Sequence, residues 1–315
     1  MTVLHTQNAS ASAAAEEVVL PALKADPREQ DLSPEELDYL FDVRGYRILK
    51  GALSAEQLDA MNAFVDAHPA RDLEPGQWIG NVETHTYGAE DGVNFQNIME
   101  AGGVFTDLID HAAWLDQVSR YIVTTQHQLS IDENFLNVRS AGGFIPIHSG
   151  GAMSRLTNNF RNQAGRWGVG QINILMALND VHHGDGCTTI VPGSHKACDD
   201  HPAEHAGEGA AWNRNISGAE AVGMCEVHLD AGDALMFTDA ICHGSVPRTN
   251  DGERRVCIYR YAPHLLAKRM NFLPDFNWLA SLTPRQRAMV APTPLRMAPG
   301  RVLRAEDFEH DPVGG

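Results

Sequence analysis

Polar and apolar positions divide this chain into a helical first part and a strand-rich second part. Residues 1 to about 30 are rich in Ala, Ser and Glu and show little hydrophobic periodicity, so a loose arm is expected there. Ser33-Pro34-Glu35-Glu36 then spells a helix start, with a capping hydroxyl, proline at the first position and Glu36 three residues after the cap. Tyr46-Arg47-Ile48-Leu49 reads as a strand. Ser54-Ala55-Glu56-Gln57 is a second capping box, opening a helix with Leu58, Met61 and Phe64 on one face. A third helix is expected over Phe105 to Val123, because Leu108, Ile109, Ala112, Leu115, Val118 and Ile122 recur with a period near 3.6.

From about Leu129 short β-prone runs alternate with Gly, Asn, Asp and Pro: 130–138, 169–178, 187–191, 224–229, 234–238 and 255–261. Helices come first and strands later, without βαβ alternation, so a Rossmann fold is excluded. The expected fold is mainly β with flanking helices, a jelly roll or double-stranded β-helix. Residues 31–270 form its domain. Residues 271–315 form a C-terminal extension, a lid or dimer contact, with one helix after Thr283-Pro284. A monomer and a homodimer both fit.

Composition narrows the partners. Of 315 residues, 41 are acidic and 24 basic, a net charge of -17, which disfavours nucleic acid and anionic membrane. The five cysteines are odd in number and show no CxxC spacing, so reduced thiols are expected. No secretory signal and no membrane-spanning run is evident, and a cytoplasmic location is expected.

Most of the fifteen histidines sit in polar stretches. His182 and His183, in the turn NDVHHGDG, are expected to be solvated. His148 and His243 differ, because each stands at the end of a β-prone run. Imidazole suits iron, and two histidines from different strands with a carboxylate form a facial triad. Arg254 lies eleven residues after His243, on the next expected strand. Its planar fork suits the distal carboxylate of a 2-oxo acid. Alternation puts Arg255 on the opposite face, in solvent or a surface ion pair.

These residues, together with Asn179-Asp180 through Pro192-Gly193-Ser194-His195 and His243-Gly244-Ser245, resemble the phytanoyl-CoA dioxygenase family over roughly residues 35–265. The resemblance implies an oxidoreductase using Fe(II), 2-oxoglutarate and O2. It implies His148 and His243 as metal ligands and Arg254 as the 2-oxoglutarate anchor, helped by Ser245 or Asn137. It places His195 in a turn, away from the metal. One departure stands out. The family's first motif is His-x-Asp, whereas here His148 is followed by Ser149 and Gly150. His-x-Gly resembles the motif of radical halogenases, in which the vacated position at iron takes chloride. Gly150 has no side chain to fill that position. The alternatives are a hydroxylase whose carboxylate comes from Glu133, Asp185 or Asp239, a hydroxylase with water at that position, and an inactive ligand-binding member. His183-Gly184-Asp185 also spells His-x-Asp, but lies beyond the core strand that follows the first motif. The basic, amide-rich stretch with Arg155, Asn158, Arg161 and Trp167 suggests a small, anionic or polar substrate, a free amino acid or a nucleotide among them. A solvated loop is the competing account of that stretch.

Overall fold

The computed structural model describes residues 19–86, 92–123, 128–140, 142–148, 156–205, 216–265 and 274–291. Fourteen strands occur among them: β1 (Ala22–Leu23), β2 (Tyr46–Leu49), β3 (Trp78–Ile79), β4 (Val82–His85), β5 (Val93–Gln96), β6 (Leu129–Arg139), β7 (Phe160–Gln163), β8 (Arg166–Val169), β9 (Ile172–Ala177), β10 (Thr188–Ile190), β11 (Cys225–Val227), β12 (Ala234–Thr238), β13 (His243–Ser245) and β14 (Arg254–Pro263). They build a large sheet of order β2-β12-β9-β14-β6-β5-β4-β3, a small sheet of order β1-β11-β10-β13, and the hairpin β7-β8. All pairings are antiparallel except that of β1 with β11. The expected jelly roll is present, and it is mainly β.

Both faces of the large sheet are covered, which is why β9 and β12 are buried at every position. On the outer face, Leu136, Val138, Ile174, Met176, Met236, Cys257, Tyr259 and Tyr261 join the main core. That core takes in residues of α1 (Pro34–Arg44), α2 (Ala55–Ala67), α3 (Val104–Asp107), α4 (Leu115–Ile122), α5 (Phe276–Ser281) and α6 (Pro284–Val290). On the inner face, Tyr46, Ile48, Leu175, Ala177, Leu235, Phe237 and Val256 meet Ile190, Val227 and Ile241 from the small-sheet side.

Both capping boxes form as the sequence indicates, at Ser33 with Glu36 and at Ser54 with Gln57. A third, at Thr283 with Gln286, opens α6. The continuous helix expected over 105–123 does not form. α3 passes into a 3-10 turn at Leu108–Asp110, the chain extends at His111, and α4 starts at Leu115. The Tyr261 hydroxyl lies 3.1 Å from the Leu108 and Ile109 carbonyls and offers those backbone acceptors a partner outside a helix. The periodic residues are buried all the same, apart from Ala112.

Order also begins before residue 31. β1 pairs with β11, and Glu29 is buried in an ion pair with Arg44 and Arg47. Residues 1–18 lie outside the described residues. At the other end, α6 packs onto the core through Met289 and Val290, and Gln286 donates to Asp110 at 2.9 Å. Among the described residues, no helix is long and apolar enough to cross a membrane.

Candidate metal and 2-oxo acid site

The interior between the sheets is not uniformly apolar. Period two on β6 turns Glu133, Phe135, Asn137 and Arg139 inward. On β14 it turns Arg254, Val256, Ile258 and Arg260 inward, in register with them. Tyr46, Ile48, Leu235 and Phe237 fill the β2-β12 side. The β14-β6-β5 side is therefore a polar stripe inside a sandwich.

His148 and His243 meet across a short bridge between the segment 142–148 and β13. Backbone N–H groups donate in both directions, His148 to the His243 carbonyl at 2.8 Å and His243 to the His148 carbonyl at 3.0 Å. The ring centroids are 4.0 Å apart. Each Nδ1 lies 2.8 Å from the carbonyl two residues back, Pro146 for His148 and Ile241 for His243. That pairing makes Nδ1 the protonated nitrogen and leaves Nε2 as a lone pair, the tautomer a metal needs. Burial first, then the facing His243, pushes the His148 imidazole well below its ordinary range, so it is neutral at physiological pH. Phe237 closes one side, its ring edge-on to His243 with centroids 5.0 Å apart.

Arg254 lies between the two sheets. Its Nη1 donates to Asn137 Oδ1 at 3.3 Å and its Nη2 to Thr188 Oγ1 at 3.0 Å, while Nε has no partner. Only 4% of the residue is exposed. Burial first, then the neighbouring Arg139 and Arg248, lower it to about 9, so it still carries a charge at neutral pH. Arg139, directly opposite in register, donates to Ser245 Oγ at 3.0 Å. Ser245 also accepts from the Ile145 N–H at 2.7 Å. A buried guanidinium with neutral partners and an orphaned N–H, beside a second one, is suited to taking up an anion. Register ties it to the histidines. Thr188 pairs with Ser245 and Ile190 with His243, so the anion site lies two residues along β13 from the histidine pair, roughly 7 Å. A chelating 2-oxo acid reaching from a metal to a guanidinium fits that span.

The carboxylates named as alternative ligands each have partners of their own. Glu133 pairs with Arg260 at 2.9 Å and accepts from Gln96. Asp185 sits in the turn with Arg248 and Asn250. Asp239 accepts from Asn173 at 3.1 Å, yet is close enough for its charge to act on His148. Among the described residues, no Asp, Glu, Cys or third His joins the pair within 4.8 Å.

Ser149, Gly150 and Arg155 lie outside the described residues. Asn158 is buried and Arg161 is exposed on the β7-β8 hairpin. Trp167 packs among Phe41, Tyr121 and Phe160, with ring centroids 4.5 Å from Tyr121. His195 is in the turn, as the resemblance implied: its Nε2 lies 3.0 Å from the Asp42 carbonyl, and it packs on Gly45, which is in the left-handed region. Arg255 pairs with Asp66 and Glu253 at the surface. Sequence reasoning missed Arg139 and Thr188, whose only signal was strand register.

No curated protein sequence matches the chain. Among solved structures it is similar to HygX from Streptomyces hygroscopicus with nickel and 2-oxoglutarate bound. That match has a TM-score of 0.62 and 19% identity, and covers 76% of this chain and 91% of that one. HygX with iron bound gives 0.60 over the same shares. The epimerase SnoN in complex with Fe3+, alpha ketoglutarate and nogalamycin RO gives 0.50 at 18% identity, covering 73% of this chain and 84% of that one. At such identities the structures establish the shared fold. The family follows from the sequence, because residues 41–256, more than half of the chain, match the phytanoyl-CoA dioxygenase model. The chain belongs to the phytanoyl-CoA dioxygenase family of Fe(II)/2-oxoglutarate-dependent enzymes.

Proposed function

We propose that this family member is a halogenase that chlorinates an unactivated C–H bond of a small metabolite, a free amino acid or a nucleotide being the fitting classes. In this reading His148 and His243 are the protein ligands of iron, and Arg254 holds the distal carboxylate of 2-oxoglutarate. Asn137, Thr188 and Ser245 shape that end of the pocket. Bound there, iron with 2-oxoglutarate and O2 would supply the oxidant that removes a hydrogen atom from the substrate. The chain's part is to keep both imidazoles neutral and aimed, to neutralise the 2-oxo acid in a dry pocket, and to leave one position at the metal without a side chain.

The observation that carries the reading is the missing carboxylate. Gly150 stands where the family has Asp, and no acidic residue occurs between His148 and Asp180. Glu133 and Asp185 are held by arginines. A buried iron(II) with two neutral ligands and dianionic 2-oxoglutarate is one anion short of the family's usual set, and chloride restores that charge. Asp239 favours the second reading, hydroxylation, since it is the buried acid whose charge reaches His148. The two are separated by product mass. With Fe(II), 2-oxoglutarate, O2 and chloride or bromide, candidate amino acids and nucleotides should gain Cl or Br. A substrate that gains only oxygen at saturating chloride makes the enzyme a hydroxylase. HygX has been solved with hygromycin B and SnoN with nogalamycin RO, so both compounds belong in the same substrate panel.

Arg254→Met keeps the aliphatic stem and deletes the fork. A charge-assisted contact of about 1.5–3 kcal/mol is lost, so the 2-oxoglutarate concentration for half-maximal turnover should rise roughly ten- to a hundredfold. Arg255→Met should leave it unchanged. The Arg254 variant should also be no less stable than the wild type without ligand, because it removes a buried cation that lacks an acidic partner. The reverse pattern between the two arginines, read from 2-oxoglutarate titrations, would overturn the anchor assignment.

A further inference from the structure

The turn NDVHHGDG is not merely solvated. Cys187, Glu226 and His228 bring ligand atoms within 4.8 Å of one another. His183 approaches the same carboxylate, its Nδ1 3.1 and 3.2 Å from the two Glu226 oxygens, and His228 Nε2 lies 3.0 Å from Oε2. Cys187 is fully buried and Glu226 nearly so, while His183 forms the exposed rim. The cluster is separate from the histidine pair. Thr189 and Glu226 pair in register on β10 and β11, and alternation turns them away from Thr188 and Ile190, which face the sandwich interior. Beside the cluster opens a cavity of about 650 Å3, lined by Lys50, His182, His183, His228, Asp230 and Asp233, which gives an ion a path from solvent.

An imidazole, a thiol and a carboxylate make a donor set of mixed softness. Thiolate and imidazole favour zinc-class ions, whereas magnesium and calcium want oxygen. A hydrogen-bonded His-Glu-His network explains the carboxylate but gives the thiol no part, since Cys187 donates to backbone carbonyls, those of His182 at 2.9 Å and Val181 at 3.8 Å. We propose that Cys187, Glu226 and His228 bind one zinc-class divalent ion at a site distinct from the His148–His243 pair, with His183 at its rim against the Glu226 carboxylate. The ion would join the 181–187 turn to β11, the strand on which β1 is laid.

Cobalt(II) is the probe, because thiolate ligation gives it a charge-transfer band that nitrogen and oxygen ligation lack. The full chain carrying His148→Ala and His243→Ala should bind one Co(II) and show that band. Adding Cys187→Ser should abolish the band, and Glu226→Gln with His228→Gln should abolish binding. Failure of the double-alanine chain to bind Co(II), or a band that survives Cys187→Ser, overturns the site. The wild-type chain gives an answer that depends on no variant's folding. Titrated anaerobically, it should take up two equivalents, one of them with the thiolate band. Saturation at one equivalent without that band overturns the proposal.

Discussion

His243→Ala should reduce iron-dependent consumption of 2-oxoglutarate to background, and His148→Ala should do the same. The expected loss is larger than in a full facial triad. With Gly150 in place of a carboxylate, the proposed centre has two protein ligands, and removing one leaves the metal on a single imidazole. Residues that merely orient a metal ligand typically alter affinity or activity by 10- to 100-fold, so loss of a ligand itself should exceed that. The fold should survive. The bridge between the two segments is made by backbone groups, and each ring contributes one further hydrogen bond, to Pro146 or Ile241. Each such bond contributes about 1 kcal/mol. The measurement is paired: a thermal melt to show that the variant is folded, and the visible charge-transfer band of the anaerobic Fe(II)–2-oxoglutarate complex. A folded variant that retains both band and turnover would mean that the ligand lies elsewhere.

Much of the frame was legible because its signals are local. Ser33, Ser54 and Thr283 announce helices within four residues of themselves, and the alternation around Arg254 separates it from Arg255 before any contact is known. His148 and His243 were legible as strand-end histidines, and the structure brings them together. What escaped depends on distant chain. The break after Leu108 is stabilised by a tyrosine about 150 residues away, which no local periodicity reports. Arg139 comes beside Arg254 only because the β6-β14 register puts the two opposite each other. Trp167 completes a ring cluster with Phe41 and Tyr121 on elements far away in sequence. His183 and His228 look unremarkable until β10 and β11 pair and carry Glu226 between them. The site's electrostatics are likewise a property of the assembled sandwich, because Arg254 is a surface-type residue by composition and a buried cation by position.

Gly150→Asp should convert the product rather than abolish binding. The substitution restores the sequence His-x-Asp and returns a carboxylate to the position that the halogenase reading assigns to chloride. Net charge at the centre is unchanged, since one monoanion replaces another, so iron and 2-oxoglutarate affinity should stay within a few fold of wild type. Chloride affinity should not. A tethered carboxylate competes at an effective concentration in the millimolar range or above, against a halide held by nothing but the metal and the pocket. Chlorinated product should therefore fall at least tenfold at fixed chloride, while 2-oxoglutarate turnover continues. Whether oxygen then reaches the substrate depends on where its radical carbon is held. The informative ratio is thus chlorinated product to 2-oxoglutarate consumed. Gly150→Ala is the control, because a methyl group carries no ligand and should retain chlorination. If Gly150→Asp leaves the chlorine yield per 2-oxoglutarate unchanged, position 150 is not beside the metal and the halogenase reading loses its basis. If the wild-type enzyme transfers only oxygen and Asp239→Asn removes its iron, Asp239 is the third ligand and the chain is a hydroxylase with a relocated carboxylate.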